Sequence, residues 1–178
     1  MIFAIAAILL VTGLALGANG LLYTPLWKVT INSELSSFKD DFSLGVGKPA
    51  TDSYDINDIL KAPLFPGKSI RIQSVIDGKA LQEDYRANLW ILKSKSWQTT
   101  LILNDPSFTG ISGTEILTWK LERVPRNIKV MLIDYGKDLT RKNIVKNVDM
   151  KKNNSYSFNI TNSIGSYRYI DIKVSKRI

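Results

Sequence analysis

From Leu26 onward the chain alternates apolar and polar residues in short runs divided by turn signals. Trp27, Val29 and Ile31 fall on one side of an extended run, with Lys28, Thr30 and Asn32 on the other, which is the period-two pattern of a half-buried strand. A polar stretch from Ser36 to Asp41 precedes a short strand from Phe42 to Gly47. The 48–67 stretch carries Pro63 and Pro66 and predicts a long ordered loop, with Tyr54, Ile56, Ile59, Leu64 and Phe65 as apolar anchors. Strand signals then recur at 69–76, 84–92, 96–103, 115–121, 128–134, 144–150, 155–160 and 167–174, with turns at Asp77-Gly78, Asn104-Asp105-Pro106 and Val124-Pro125. Nine or ten short strands, with no helical periodicity after Pro25, predict a mainly β fold: an antiparallel β-sandwich.

The first twenty residues break this pattern, because Met1 to Gly20 is apolar and carries no charge. About 18 residues of helix would span roughly 27 Å, close to the thickness of a bilayer's hydrocarbon core. Three readings stay open: a removed signal peptide, a membrane anchor, or a helix that packs against its own copies. No basic n-region leads the apolar run, which moves the expectation towards a retained helix. Gly13 and Gly17 have the small-xxx-small spacing that lets helices approach closely. Ile2, Phe3, Ile5, Ile8, Leu9, Leu10, Val11, Leu14 and Leu16 would supply the assembly surface together with those glycines. Two parts are thus expected, a hydrophobic helix over 1–22 and one β-domain over 26–178.

Composition narrows the chemistry. The chain has no histidine and no cysteine, which excludes disulfides, thiol chemistry and any Ser-His-Asp or Cys-His catalytic arrangement. Adjacent acids such as Asp40-Asp41 and Glu83-Asp84 would point to opposite faces of a strand and make a poor acid–base pair. No phosphate loop or nucleic-acid motif occurs, so neither an enzyme nor a nucleic-acid partner is expected. The formal charge of +8 lies wholly outside the apolar segment. It reads mainly as a solvated basic face, with Arg141-Lys142, Lys146, Lys151-Lys152 and Lys173, Lys176, Arg177 as its denser parts.

Three further groups bear on binding. Asp52, Asp55 and Asp58 lie close together in one loop and could supply oxygen ligands to calcium; turn-fixing bonds to the backbone are the plainer reading, and otherwise no cofactor is expected. Trp90, Trp97 and Trp119 could form a glycan platform beside Asp84-Tyr85-Arg86, although alternation turns Trp119 inward. Asn153 and Asn159 open N-glycosylation sequons.

The run Leu44-Gly45-Val46-Gly47-Lys48-Pro49-Ala50-Thr51-Asp52-Ser53-Tyr54-Asp55, followed by the proline loop, Asp84-Tyr85-Arg86, Leu117-Thr118-Trp119, Leu132-Ile133-Asp134 and Ser155-Tyr156-Ser157-Phe158, resembles an uncharacterised class of secreted immunoglobulin-like domains. The resemblance covers Phe42 to Val174 and implies a surface-exposed sandwich without catalysis. An apolar helix followed by a β-domain also resembles the layout of type IV pilin-like proteins. Together these lead to the expectation of a pilus-like filament subunit at the cell surface, assembled from copies of itself and held in the membrane before assembly. The alternative is an anchored or secreted module that binds glycan or an acidic partner.

Overall fold

A computed structural model describes residues 25–176 except 49, 64–65 and 88–93. The apolar segment and its eleven expected assembly residues, Ile2 to Gly17, therefore lie outside the described residues, as do Trp90, Leu64, Phe65 and Arg177.

The described chain is all β. Its strands are β1 (Trp27–Leu35), β2 (Phe38–Val46), β3 (Ile59–Leu60), β4 (Ser69–Ile76), β5 (Lys79–Arg86), β6 (Ser94–Asn104), β7 (Ile111–Glu122), β8 (Ile128–Asp134), β9 (Lys146–Asp149), β10 (Ser155–Ser163) and β11 (Gly165–Lys176). They form one sheet in the order β10-β7-β1-β2-β5-β4-β6-β11-β8-β9, with β3 added against β5, and the sheet curls until it is nearly a barrel. This corrects the immunoglobulin-like sandwich and, with it, the pilin-like layout. Strands β2 and β5 pair in parallel over Ser43–Val46, joining what would be two sheets into one, and no helix occurs among the described residues. Alternation could not separate the two architectures, because a strand with one buried face looks the same in a sandwich and in a closing sheet.

Locally the pattern held well. In β1 the buried positions are Trp27, Val29, Ile31, Ser33 and Leu35, alternating without a slip. In β8 they are Ile128, Val130, Leu132 and Asp134. β2 starts earlier than the sequence suggests: Leu35 faces Phe38 across a two-residue turn, and pairing with β1 draws in Lys39, Asp40 and Asp41. Ser36 takes a left-handed φ of 55° at that turn. β1 is paired on both sides, by β2 and β7, so it has no free edge to offer a neighbour.

The inner faces pack into one core in which Trp97, Phe42, Leu44, Leu101, Leu117 and Leu132 are fully buried. Trp27 meets Trp97 edge to face at 5.9 Å between ring centroids. Gly45 sits where a Cβ would come within 2.4 Å of the Trp27 carbonyl oxygen, so a side chain there would push β1 and β2 apart.

The two ends of the domain can be traced from the pairing. Lys28 faces Glu122 and Lys176 faces Ile128, so both ends of the described chain flank the β7–β8 connection at 123–127. β1 then runs nine residues, roughly 25 Å, to the other end. There Gly113 packs on Leu35 and Ser36, Gly110 lies against Asn162, and the Asn162 amide donates to Ser112 Oγ at 2.8 Å. The β1–β2, β6–β7 and β10–β11 turns thus gather at the end far from Trp27 and Lys176.

Candidate functional site

The acidic loop before β3 is built by its carboxylates. The Asp55 carboxylate accepts from the amides of Thr51 at 2.6 Å and Asn57 at 2.8 Å. Burial opposes its charge, but those amide bonds outweigh it and hold the carboxyl below its usual range. Asp58 accepts from the amides of Asp55 at 2.9 Å and Tyr85 at 2.8 Å, and burial pushes its carboxyl up. Asp52 instead pairs with the buried ammonium of Lys95. The three expected calcium ligands therefore have separate tasks, and among the described residues no three acidic side chains converge as metal ligands would. The expected apolar anchors do less: Ile56 is 89% exposed and Ile59 52%, so carboxylates rather than aliphatics fix this loop.

Among the described residues, Trp97 and Trp119 do not share an exposed face. Trp97 is fully buried, and Trp119 packs on the core with its indole N–H donating to the carbonyls of Met150 at 2.8 Å and Asn153 at 2.9 Å. The sequon residues stand apart on the surface: Asn153 donates to the Asp149 carbonyl at 2.9 Å, and Asn159 accepts from Thr114 at 3.0 Å.

What the sequence reading missed is the seam where the curled sheet almost closes. Edge strand β10 faces β8 and β11 there without a backbone ladder, and side chains span the gap. The fully buried Asp134 carboxylate accepts from Arg168 Nε at 2.9 Å and from its terminal nitrogen, from Tyr156 OH at 2.6 Å, and from the Gly136 amide at 2.7 Å. The Arg168 guanidinium also lies 3.7 Å over the Phe158 ring. Burial pushes the Tyr156 hydroxyl up to about 12, with the Asp134 charge and hydrogen bond adding to it. Burial works against the Arg168 charge, but Asp134 more than offsets it and leaves its pKa raised. A neighbouring acid, Glu115, is fully buried between Ser33 Oγ and Tyr167 OH, and burial pushes both its carboxyl and the tyrosine hydroxyl up. One signal for these groups was in the sequence. Asp134 and Glu115 occupy inward positions of otherwise apolar rows, and a charge on the buried face needs a partner.

Two clefts adjoin these elements. One of about 190 Å³ opens beside the seam, lined by Lys137, Asn159, Thr161, Ser163, Tyr167 and Arg168. Another of about 180 Å³ lies by Asp40, Lys61 and Arg71. In the second, Lys61 pairs with Asp40 at 2.7 Å, and burial pulls the ammonium pKa down against that pairing. In the seam cleft Arg168 is committed to Asp134 while Lys137 stays exposed, and in the second cleft Lys61 is committed to Asp40. The expected basic face is thinner than its residue count implies. Arg141 is drawn down to Asp171 and to the Thr99 carbonyl at 3.0 Å, while Lys61 and Lys95 are buried in ion pairs.

No family model matches the chain, and neither a curated protein nor a solved structure matches it. Function therefore rests on geometry.

Two loops stand out at the end far from Trp27 and Lys176. The β8–β9 loop, 135–145, is held by Asp138, which accepts from Thr140, Lys142 and Asn143 amides between 2.8 and 3.1 Å. The Thr140 hydroxyl, donating at 2.6 Å, and those amides keep the Asp138 carboxyl far below its usual range. In the β6–β7 loop Asp105 holds Ser107 and Thr109 in the same manner. Each turn is rigidly fixed while apolar side chains stand outside it: Phe108 is 79% exposed and Leu139 69%.

Proposed function

We propose that the chain is a non-catalytic β-domain displayed at a cell surface, held at one end by its apolar N-terminal segment and presenting the loops of the other end to a partner. The observation that carries this is the polarity of the domain. Its described N-terminus enters beside the β7–β8 connection, and its exposed, pinned loops lie a strand length away. The lack of histidine and cysteine supports a binding role over catalysis, as does the use of Asp134, Asp84 and Glu115 in internal bonds. No helix among the described residues is long and apolar enough to cross a membrane, so the tether is assigned to Met1–Gly20 on its sequence alone.

A second reading, assembly of copies through that segment, is favoured by the Gly13 and Gly17 spacing. Flotation of the full chain on neutral lipid vesicles separates the outcomes. The tether predicts that wild type floats and that a Leu9→Asp, Leu10→Asp variant stays at the bottom of the gradient with its β-domain folded by circular dichroism. Wild type that does not float overturns the tether, and long fibres in negative stain that vanish in the same variant favour assembly.

A further inference from the structure

We propose that the end far from the termini is a docking surface for an anionic lipid bilayer. Of eleven large hydrophobics exposed among the described residues, Phe108, Leu139, Ile144, Val145 and Ile164 lie on three adjoining turns there. Adjacency follows from two contacts: Lys137 of the β8–β9 loop shares the seam cleft with Ser163, and Gly110 of the β6–β7 loop lies against Asn162.

Two of these turns, β6–β7 and β8–β9, are pinned by side-chain hydrogen bonds. Besides the bonds to Asp138 and Asp105, Arg141 anchors the β8–β9 loop to Asp171 and lies 5.4 Å from the Tyr169 ring. Phe108 adopts a left-handed φ of 54°, a conformation a bulky side chain takes only when its surroundings impose it. The fold thus holds an aromatic ring in water at a conformational cost. Such preorganisation helps binding, because no further ordering is needed on contact.

Charge selects the occupant. Lys137, Lys142 and Lys146 are exposed around these apolar groups and make no ion pair among the described residues. Of the acids nearby, Asp105 and Asp171 are paired with Lys68 and Arg141, and Asp138 keeps its charge but turns it onto the amides of its own loop. Lysines ringing exposed aliphatic and aromatic side chains match an interface with acidic headgroups above hydrocarbon. An acidic polysaccharide would use the lysines and leave the aliphatics idle.

The proposal rests on the tethered-display reading for which end is free, and the experiment keeps the two apart. The chain has no cysteine, so Ile164→Cys accepts a single polarity-sensitive dye, with Val75→Cys on the outer face of β4 as reference. The full-length protein is placed in nanodiscs of phosphatidylcholine, or used directly in buffer if it does not enter them, a failure that counts against the tether alone. Phosphatidylglycerol vesicles are then titrated in. The expected result is a blue shift at position 164 and none at 75, no shift with phosphatidylcholine vesicles, and about tenfold weaker binding for Leu139→Ser, Ile144→Ser and for Lys137→Glu, Lys142→Glu. Absence of vesicle binding overturns the proposal. So does binding that survives loss of the aliphatics without any dye shift, the signature of a polyanion contact.

Discussion

Replacing Arg168 by methionine is expected to lower the stability of the domain by about 3–5 kcal/mol, read as a shift of the urea unfolding midpoint with unchanged slope. The substitution keeps most of the side-chain volume and removes the charge that faces Asp134. That carboxylate is fully buried, and Arg168 itself is only 15% exposed, so solvent cannot take the place of the lost partner. Tyr156 OH and the Gly136 amide would still donate to Asp134, but they bring no opposite charge. The cation–π contact with Phe158 goes as well. Replacing both members, Asp134→Leu with Arg168→Met, is expected to recover a large part of the loss, because an apolar pair of similar volume leaves no buried charge. A single-variant loss under about 1 kcal/mol would mean that the seam is wet and that the pair behaves as a surface salt bridge.

The effect is expected to be large because of what the seam replaces. A closed barrel ties its last strand to its first with a backbone ladder, and here β10 and β9 are sheet edges. Side chains do the joining: Asp134 to Tyr156 across the gap, and the Trp119 indole to the 150–153 turn that links the two edges. The Arg168→Met variant should therefore also expose the β10 edge, with faster amide exchange at Tyr156 to Asn159 than in the core of β1.

Trp97→Ala is expected to cost about 3–5 kcal/mol, in the range of large-to-small changes at a fully buried aromatic. Three losses add. The indole leaves a cavity in the centre of the core, where it is fully buried. Trp27 loses its edge-to-face partner at 5.9 Å. The Asp84 carbonyl loses the indole N–H at 3.2 Å, and Arg86, whose guanidinium lies 5.1 Å from the ring, loses its stacking surface. Arg86 in turn orients on the buried Asp84 carboxylate at 3.1 Å, so the parallel β2–β5 junction is expected to loosen with the core. Trp97→Phe keeps an aromatic face and loses only the donor, and its midpoint should fall between those of wild type and Trp97→Ala.

How much of this was legible in the sequence depends on range. Alternation is a local property, and it placed β1, β4, β8 and the turn at Asp77-Gly78 because each depends on neighbours within a few residues. Sheet order is not local. Whether Ser43 to Val46 meets another strand in parallel depends on residues 83–86, and nothing in either run distinguishes that pairing from an antiparallel one. β3 has two residues and no periodicity to read. The candidate chemistry divides in the same manner. The Asx role of Asp55 was readable because its partners are Thr51 and Asn57. The partnership of Asp134 with Arg168 and Tyr156 joins three strands and was not, although an acid ending the row Ile128, Val130, Leu132 pointed to a buried charge in need of one. The same alternation that turns Trp119 inward turns Trp97 inward too, which removes both from an exposed platform.

The proposed polarity of the domain meets its most direct test in a single-site quenching measurement. The full chain, held in a bilayer by its apolar segment, would carry one dye at position 126, in the connection beside the chain termini, or at position 164, in the β10–β11 turn. A contact quencher is attached to lipids of that same bilayer. Strong quenching at 126 and none at 164 is expected, since the two positions are separated by the length of a strand, about 25 Å. Equal quenching at both sites, or quenching at 164 alone, would contradict it.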